Sequence, residues 1–408
     1  MLIQARATLC LFFLTASGSS LVAQTVTFSQ PKSVLTFGPD TFYFQTLDLD
    51  GDGNTDLDVC ANIYNCSVYR GDGKGGFSTT PLSIDVFDPA PIHGLPVFID
   101  VNGDGIDDEV FAFSSFAGNH FDTTNGQFIV ALGDGAGGFI SVTELGGLPL
   151  GTGTSDDPLV AGDFNADGKV DFAFLSNGGL DDQGNPQSAA ITVFLNEGNG
   201  AFAQQNTIWL QGRGHWALVA GDFDGDIKDD LAWTQLQSDE GPLQAPYAIH
   251  YMYSKGNGAF SGLRTYWTDT APVSLAEGVL NGDPRADLVV GLAPGGPHRW
   301  RIATLLAKQT SGFYWASDVS SNTPTDGVQI MNLNWDEHPD LIYHTNLVRA
   351  GLSNNKWSPS QAVGVQTPPA QSYGPFVKLN QYGLPAFFSK SVDSSQNIHI
   401  NVQINTSK

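Results

Sequence analysis

Short apolar runs recur along the whole chain, and polar, glycine-rich segments separate them. After the acidic segment DLDGDGNTDLDV, which begins at Asp48, the chain continues as CANIY, and later runs such as VFAF, FAFL and LVVGL are equally short. Short runs that are rich in Val and Phe and bounded by Gly, Asn and Asp are typical of β-strands. No segment shows the sustained apolar period of a long amphipathic helix. The pattern therefore predicts an all-β fold.

An acidic loop recurs ahead of these runs. Intact copies, DLDGDGNTD, DVNGDGIDD, DFNADGKVD and DFDGDIKDD, begin at Asp48, Asp100, Asp163 and Asp222. Altered copies begin at Val279, Asn332 and Lys378. Successive copies start between 46 residues (332 to 378) and 63 residues (100 to 163) apart. A repeat of this length predicts the blades of a propeller or the turns of a solenoid.

A glycine turn that ends in an aromatic residue follows each acidic loop except the last. These aromatic turn residues are Phe77, Phe139, Phe202, Phe260, Phe313 and Trp357. The loop at Lys378 has no such turn after it, and the final strand pattern, IHINVQIN, has no partner after it. The missing aromatic residue is Phe28, in the segment TVTF near the start of the chain.

The two ends of the chain therefore complement each other. A strand from TVTFSQPKSVLTF supplies the outermost strand that the last repeat lacks, and this pairing removes two open sheet edges. An open solenoid has no need of such complementarity. The sequence predicts one seven-bladed β-propeller over residues 25–408, with four antiparallel strands in each blade, closed by pairing of the N- and C-terminal strands.

The first 24 residues differ from the rest of the chain. Arg6 precedes the apolar stretch ATLCLFFLTASGSSLVA, and no acidic residue occurs before Asp40. This arrangement predicts a cleaved signal peptide over residues 1–24. The alternative is a membrane anchor, but the stretch is interrupted by Thr, Ser and Gly and is short for a spanning helix. We therefore expect a protein that is secreted, periplasmic or on the cell surface, without membrane insertion.

The net charge narrows the range of partners. The chain has 42 acidic and 18 basic residues, for a formal net charge of -24. Because phosphate binding needs clustered Lys and Arg, we expect no nucleic-acid partner. The balance favours cations or simple solubility. We expect the protein to be a monomer.

Each intact acidic loop places oxygen-bearing side chains at positions 1, 3, 5 and 9, with glycine near position 6. Carboxylates this close destabilise the fold unless the loop is fully solvated or a cation lies among them. Hard oxygen donors in a flexible loop suit Ca²⁺ better than Mg²⁺. The predicted ligands are Asp48, Asp50, Asp52, Asn54, Asp56, Asp100, Asn102, Asp104, Asp108, Asp163, Asn165, Asp167, Asp171, Asp222, Asp224, Asp226 and Asp230. We expect about four structural Ca²⁺ ions.

Departures from the loop pattern limit this expectation. An EF-hand is excluded because it needs a Glu at position 12, where these loops have Val59, Phe111, Phe174 and Trp233. In the fourth loop Ile227 stands at position 6, where a positive φ is strained for a β-branched residue. The fifth loop has Val279 at position 1 and Arg285 at position 7, and we expect no ion there. The sixth loop has Asn332, Asn334, Asp336 and Asp340, and with only two carboxylates its ability to bind an ion is left undecided.

The pattern D-x-[DN]-x-D-G-x-x-D, followed by a strand and a turn of the type N-x-G-x-G-x-F, resembles the FG-GAP (VCBS-type) repeat. This resemblance extends over nearly the whole chain after residue 24. It implies the seven-bladed propeller found at the head of integrin α chains, with Ca²⁺ held by the loop residues named above. It also implies a calcium-stabilised module for recognition or adhesion.

Cys60 and Cys66 are the only cysteines after residue 24, and they flank a short hairpin turn, CANIYNC. An oxidising compartment would let them form a disulfide bond. A metal-binding pair is the alternative, but no other thiol or nearby histidine completes four ligands.

The sequence contains no GxSxG, HExxH, Walker or dinucleotide-binding motif. Function is therefore expected on the variable loops opposite the acidic loops. Candidate ligand-binding residues there are His120, Arg213, His215, Trp216, Tyr247, Arg299, Trp300 and Tyr373. Aromatic rings beside Arg or His suit stacking on sugars or anchoring a protein partner. The competing interpretation is that Trp216 and Trp300 begin inner or third strands and pack between blades.

Two functions follow from these observations. The first is a recognition or adhesion module for a carbohydrate or an extracellular protein, with no catalytic residue assigned. The alternative is a secreted polysaccharide lyase or hydrolase with its site in the central depression of the propeller. A propeller that acts only as a scaffold is a third possibility, because fold resemblance alone does not decide function.

Overall fold

A computed structural model describes residues 26–37, 43–62, 65–82, 96–113, 126–149, 158–178, 188–211, 215–235, 247–336, 338–344, 346–352, 356–363, 373–380 and 383–407. The predicted signal peptide lies outside these residues, and its boundary stays a prediction. All regular elements in the described ranges are β-strands, with no helix among them. None of these residues forms a helix of the length and apolarity needed to cross a membrane.

The strands form seven small antiparallel sheets arranged as blades in a ring. The N-terminal strand is β1 (Lys32–Phe37). The first blade contains β2 (Tyr43–Leu47), β3 (Asp56–Asn62) and β4 (Asn65–Tyr69). The second contains β5 (Val97–Ile99), β6 (Asp108–Phe113), β7 (Gly126–Gly133) and β8 (Phe139–Leu148). The third contains β9 (Leu159–Gly162), β10 (Asp171–Ser176), β11 (Ala190–Gly198), β12 (Ala201–Gln204) and β13 (Ile208–Trp209).

The remaining blades follow the same order. The fourth contains β14 (His215–Gly221), β15 (Asp230–Gln235), β16 (Tyr247–Met252) and β17 (Arg264–Thr268). The fifth contains β18 (Pro272–Gly278), β19 (Asp287–Leu292), β20 (Trp300–Ala307) and β21 (Phe313–Ser321). The sixth contains β22 (Gln329–Met331), β23 (Asp340–Tyr343), β24 (Leu347–Arg349), β25 (Gly351–Leu352), β26 (Lys356–Trp357) and β27 (Gln361–Ala362). The seventh contains β28 (Tyr373–Lys378), β29 (Pro385–Val392) and β30 (Ile398–Gln403), together with β1.

The first strand of each blade lies nearest the ring axis, because first strands of neighbouring blades contact one another, as β9 and β18 contact β14. Successive strands within a blade run antiparallel. The loops that join strands one and two therefore lie on one face of the ring, here called the acidic-loop face. The loops that join strands two and three, and each blade to the next, lie on the opposite face.

The ring closes as the sequence predicts. In the seventh blade β1 pairs antiparallel with β30, from Lys32 opposite Val402 to Phe37 opposite Ile398. Farther along, Phe28 forms a bridge with Asn405. The predicted seven-bladed propeller, closed by its own chain ends, is confirmed. The first blade differs in one respect: the described residues contain three strands, and the segment 78–82 is held to β4 by backbone hydrogen bonds.

Seven hydrophobic clusters lie between adjacent blades, one at each interface of the ring. Each aromatic turn residue packs in the cluster that joins its own blade to the preceding one. Phe260, for example, lies with residues of the third and fourth blades, and Phe28 packs at the interface of the sixth and seventh blades. The position 2 residue of each loop fills the same interface from the other side, as Phe164 does opposite Phe260, with ring centroids 5.8 Å apart. The repeated turn is therefore the unit that joins the blades.

Candidate metal sites and surrounding surfaces

The four intact acidic loops join the first and second strands of blades one to four. In each loop the position 1 carboxylate accepts a hydrogen bond from the backbone N–H at position 6, at 2.8 to 2.9 Å. Position 6 accordingly has positive φ: 80° for Gly53, 86° for Gly105, 79° for Gly168 and 69° for Ile227. The predicted turn is present even at Ile227, whose side chain is 77% exposed.

Two of the four loops bring carboxylates close enough to share one ion. In the first loop oxygens of Asp48, Asp50 and Asp56 lie within 4.8 Å of one another. In the fourth loop oxygens of Asp222, Asp224 and Asp226 do the same. Among the residues described, the second and third loops form no group of three with this spacing.

The fourth loop fits a cation by a further observation. Oδ1 of Asp224 is buried and has no hydrogen-bond partner among the described residues. Burial raises the pKa of Asp224, and the neighbouring carboxylates of Asp226 and Asp222 raise it further. A buried acceptor oxygen without a donor is costly, and a hard cation would satisfy it. Asp222, Asp224 and Asp226 would hold such an ion.

Basic side chains partly balance these loops. Arg70, which directly follows β4, pairs with Asp50 of the first loop. At position 7 of later loops Lys169 pairs with Asp167 at 2.6 Å, and Lys228 pairs with Asp226. In the fifth loop Arg285 pairs with Asp283 at 2.9 Å. Sequence reasoning missed these partners, although at position 7 the basic residue two positions after an aspartate was visible in the sequence.

The position 9 aspartates are fully buried and recur in six blades. They are Asp56, Asp108, Asp171, Asp230, Asp287 and Asp340. Each accepts one hydrogen bond from the backbone N–H at position 2 of its loop and a second from a backbone N–H near the end of the third strand. Asp287, for example, accepts from Leu280 at 3.0 Å and from Ala307 at 2.8 Å. Burial raises the pKa of Asp287 to about 6.

This arrangement is independent of the other ligand positions, because the fifth loop has it without an aspartate at position 1. The position 9 carboxylate therefore joins the loop to the third strand in every blade that has one, in addition to any contact with an ion. From the sequence we predicted the position 9 aspartates only as metal ligands. The fifth loop keeps an aspartate at this position, Asp287, although we expect no ion there, and this was the signal for a second role.

Neighbouring loops are also bonded to each other. The N–H of Asp107, at position 8 of the second loop, donates to the carbonyl of Asp48 at 2.9 Å. The carboxylate of Asp107 accepts from the N–H of Asp48 at 2.7 Å. Asp229 and Asp163 form the same pair of bonds between the third and fourth blades, each at 2.8 Å. These hydrogen bonds join the first loop to the second and the third loop to the fourth.

The candidate ligand-binding residues are dispersed. His120 and Arg213 lie outside the described residues. His215 and Trp216 lie on the inner strand β14, and Tyr373 begins the inner strand β28. Tyr247 begins β16 and is half-buried, and Trp300 begins the third strand β20 and is also half-buried. Arg299 is exposed and donates to Oδ1 of Asn322 at 2.9 Å. Trp216 thus lies on an inner strand and Trp300 begins a third strand, as the competing interpretation, in which both pack between blades, expects.

The inner strands supply few charged groups. In the described parts of these strands the charged residues are Glu277 and Lys378. Partial burial and, to a smaller extent, the charge of Asp229 together raise the pKa of Glu277 to about 6. Glu277 is nevertheless exposed to solvent on its inner strand.

Cys60 and Cys66 lie directly opposite each other in the antiparallel pair of β3 and β4. This backbone register places the two residues side by side, as a disulfide across a hairpin requires. The bond itself stays a prediction.

Loss of this bond is expected to lower the free energy of unfolding by about 2 kcal/mol, because it closes only a short loop of the unfolded chain. The measurement is chemical denaturation of the purified exported protein with and without reductant. The double variant Cys60→Ser/Cys66→Ser is the control, since reductant should leave its stability unchanged. Two free thiols in the native oxidised protein would contradict the prediction.

The comparisons with known proteins agree with this fold. A family model described as FG-GAP-like repeat matches residues 163–233, which include the third and fourth acidic loops. Together with the seven-bladed ring, this match confirms the predicted resemblance to FG-GAP repeats. No curated protein matches the chain with a significant score.

Several solved structures are similar to the chain at low sequence identity. BBS1N, from its complex with ARL6DN, is 12% identical, with a TM-score of 0.50 over 93% of this chain and 97% of that chain. Sqt1 of Saccharomyces cerevisiae is 10% identical, with a TM-score of 0.48 over 86% of this chain and 81% of its own. The Photorhabdus luminescens Tc holotoxin pore is 14% identical, with a TM-score of 0.45 over 92% of this chain and 14% of its own. The first of these likenesses supports the fold and nothing further.

Proposed function

We propose that the protein is an exported, calcium-stabilised propeller that recognises a carbohydrate or an extracellular protein. The FG-GAP-like match within a seven-bladed ring supports a recognition or adhesion module in general. Its ligand would bind to the face opposite the acidic loops, where the connections between strands and between blades are long and varied.

The calcium part of the proposal rests chiefly on the fourth loop. Three carboxylates converge there, and the buried Oδ1 of Asp224 has no hydrogen-bond partner in the described residues. Bound Ca²⁺ would supply a charge that balances these carboxylates and fixes the link between the first two strands of the blade. Its role would be structural, and the loop residues would only bind and orient the ion.

The alternative function, a polysaccharide lyase or hydrolase, has one observation in its favour. Glu277 is exposed on the inner strand β18, and its pKa is raised to about 6, which is suited to a general acid. Such an enzyme would also need a second acidic or basic side chain positioned across the axis. Release of unsaturated or reducing ends from a polysaccharide, lost in Glu277→Gln, would establish this alternative in place of recognition.

The recognition function is tested by applying the mature protein, in calcium-containing buffer, to a glycan array and to a set of extracellular matrix proteins. We expect selective binding to one ligand class, weakened about tenfold by Trp300→Ala or Trp216→Ala, because loss of an aromatic contact costs on the order of 1 kcal/mol or more. Tyr314→Ala, at an exposed position on an outer strand, is the matched control. Unchanged binding in both tryptophan variants would remove this patch from the proposal.

A further inference from the structure

A charged cluster lies between the fourth and fifth blades, on the face opposite the acidic loops. At its centre is Arg301, which is only 7% exposed. Its Nη2 donates to Oδ1 of Asp269 at 2.5 Å and to Oγ1 of Thr270 at 3.3 Å. Its Nη1 donates to Oδ2 of Asp318 at 3.4 Å. The guanidinium also lies 5.6 Å from the ring centroid of Trp315.

Three segments of chain contribute to this cluster. Asp269 and Thr270 belong to the connection between β17 and β18, and Asp318 lies on the outer strand β21. His298, from the loop before β20, places Nε2 at 3.5 Å from Oδ2 of Asp269. The cluster is therefore built from the fifth blade and the segment that joins it to the fourth.

The propeller fold does not require an arginine at this place. Arg301 is paired with the last residue of its blade's second strand, Leu292. The residues with the same pairing in the third and fourth blades are Ala190 and Ala248. Burial of a guanidinium is costly unless its partners are well placed, and Nε of Arg301 has no partner in the described residues. A charged group therefore occupies a position that holds a small apolar residue in the third and fourth blades.

The arginine leaves its two carboxylates accessible. The side chains of Asp269 and Asp318 are 48% and 40% exposed, whereas that of Arg301 is 8% exposed. Oδ1 of Asp318 accepts no hydrogen bond from the residues the structure describes. Carboxylates that are held from behind by a buried guanidinium present acceptor oxygens to solvent in fixed positions.

The charges around these oxygens restrict the ligand. An anionic group would be repelled by Asp269 and Asp318, whereas the attraction of these carboxylates for a cationic group is offset by the positive charges of Arg301 and the exposed Arg299. A neutral group that donates hydrogen bonds is favoured over both. Paired hydroxyl groups meet this requirement, because each can donate to a carboxylate oxygen at little desolvation cost.

We propose that the Asp269–Arg301–Asp318 cluster is a binding site for neutral, hydroxyl-rich carbohydrate, with the two carboxylates accepting hydrogen bonds from sugar hydroxyls. This inference rests on the proposed recognition function and names its ligand class and its place on the ring. The positioning residue is Arg301, and the residues that contact the sugar are Asp269 and Asp318.

The test uses the whole mature chain in calcium-containing buffer on an array of neutral, sialylated and sulfated oligosaccharides, with a lysine-rich peptide as a cationic probe. The neutral oligosaccharide that binds best is then titrated into the protein and its variants. We expect Asp269→Asn and Asp318→Asn each to weaken this binding at least about tenfold, since a hydrogen bond to a charged group is lost. Melting curves verify that each variant is folded, and Asp318→Asn, whose partner is the more distant one, remains informative if Asp269→Asn unfolds.

Asp326→Asn is the matched control. Asp326 is an exposed aspartate on the same face, paired with His344 at 2.8 Å, in the sixth blade. Its substitution should leave the affinity unchanged. Binding only to sialylated or sulfated glycans, binding only to the lysine-rich peptide, or unchanged affinity in both carboxylate variants would overturn this site. Selective binding of another ligand with both variants intact would overturn the site but leave the recognition function standing, whereas cleavage of a polysaccharide lost in Glu277→Gln would overturn the recognition function.

Discussion

Chelation of calcium with EDTA is expected to lower the melting temperature of the mature protein by roughly 10–15 °C, and added Ca²⁺ should restore it. A site that binds only the folded state adds about 2.7 kcal/mol when the ion is present at a hundredfold excess over its dissociation constant. Four such sites in one cooperative ring would add on the order of 10 kcal/mol. The bonds between neighbouring loops, as between Asp107 and Asp48, favour unfolding of the ring as a unit.

Two variants separate ion binding from general loss of charge. Asp224→Asn removes a predicted ligand whose Oδ1 is buried without a partner in the described residues. Asp283→Asn removes a carboxylate from the fifth loop, where we expect no ion. The calcium-dependent rise in melting temperature should shrink by about a quarter in the first variant, because distant sites contribute nearly independently. The full calcium-dependent rise in melting temperature should persist in Asp283→Asn. Equal melting temperatures with EDTA and with Ca²⁺ in the unmodified protein would contradict the calcium assignment.

The ring and its closure were predictable because they depend on spacing along the chain. The acidic loops and aromatic turn residues recur at a regular interval, and the single missing aromatic residue pointed to Phe28. The structure places Phe28 at the interface of the sixth and seventh blades, as the other aromatic turn residues are placed at theirs. Each repeat contains residues that pack within its own blade and residues that pack against the next blade. The aromatic residue that the last repeat lacks therefore indicates that a strand near the start of the chain completes that blade.

Contacts between residues far apart in the sequence were not predictable in the same way. Arg301 is ordinary in the sequence, and its role depends on Asp318, which meets it when β20 pairs with β21, and on Asp269, which meets it only when the segment joining the fourth and fifth blades is in place. The pairing of Arg70 with Asp50 likewise depends on the fold of the first blade. Such groups carry no local signal, whereas the loop ligands are defined by positions within nine residues of chain.

Phe260→Ala is expected to lower the free energy of unfolding by about 3–5 kcal/mol. Phe260 is 8% exposed and packs in the cluster between the third and fourth blades. Its ring meets that of Phe164 edge to face, with centroids 5.8 Å apart. The substitution therefore leaves a cavity at a blade interface and removes an aromatic pair. Urea denaturation in calcium-containing buffer measures the loss, and Trp267→Ala, whose side chain is 61% exposed, should cost less than about 1 kcal/mol.

The same substitution should also weaken calcium binding, because Phe164 is position 2 of the third acidic loop. The N–H of Phe164 donates to Oδ2 of Asp171 at 2.9 Å, so a change in the packing of its ring shifts a loop that we propose binds the ion. The calcium concentration needed for half of the stabilisation should therefore rise in Phe260→Ala and stay the same in Trp267→Ala. A loss of stability with unchanged calcium dependence would show that blade packing and the loops act independently. A matched rise in both variants would show that the effect does not arise at this interface.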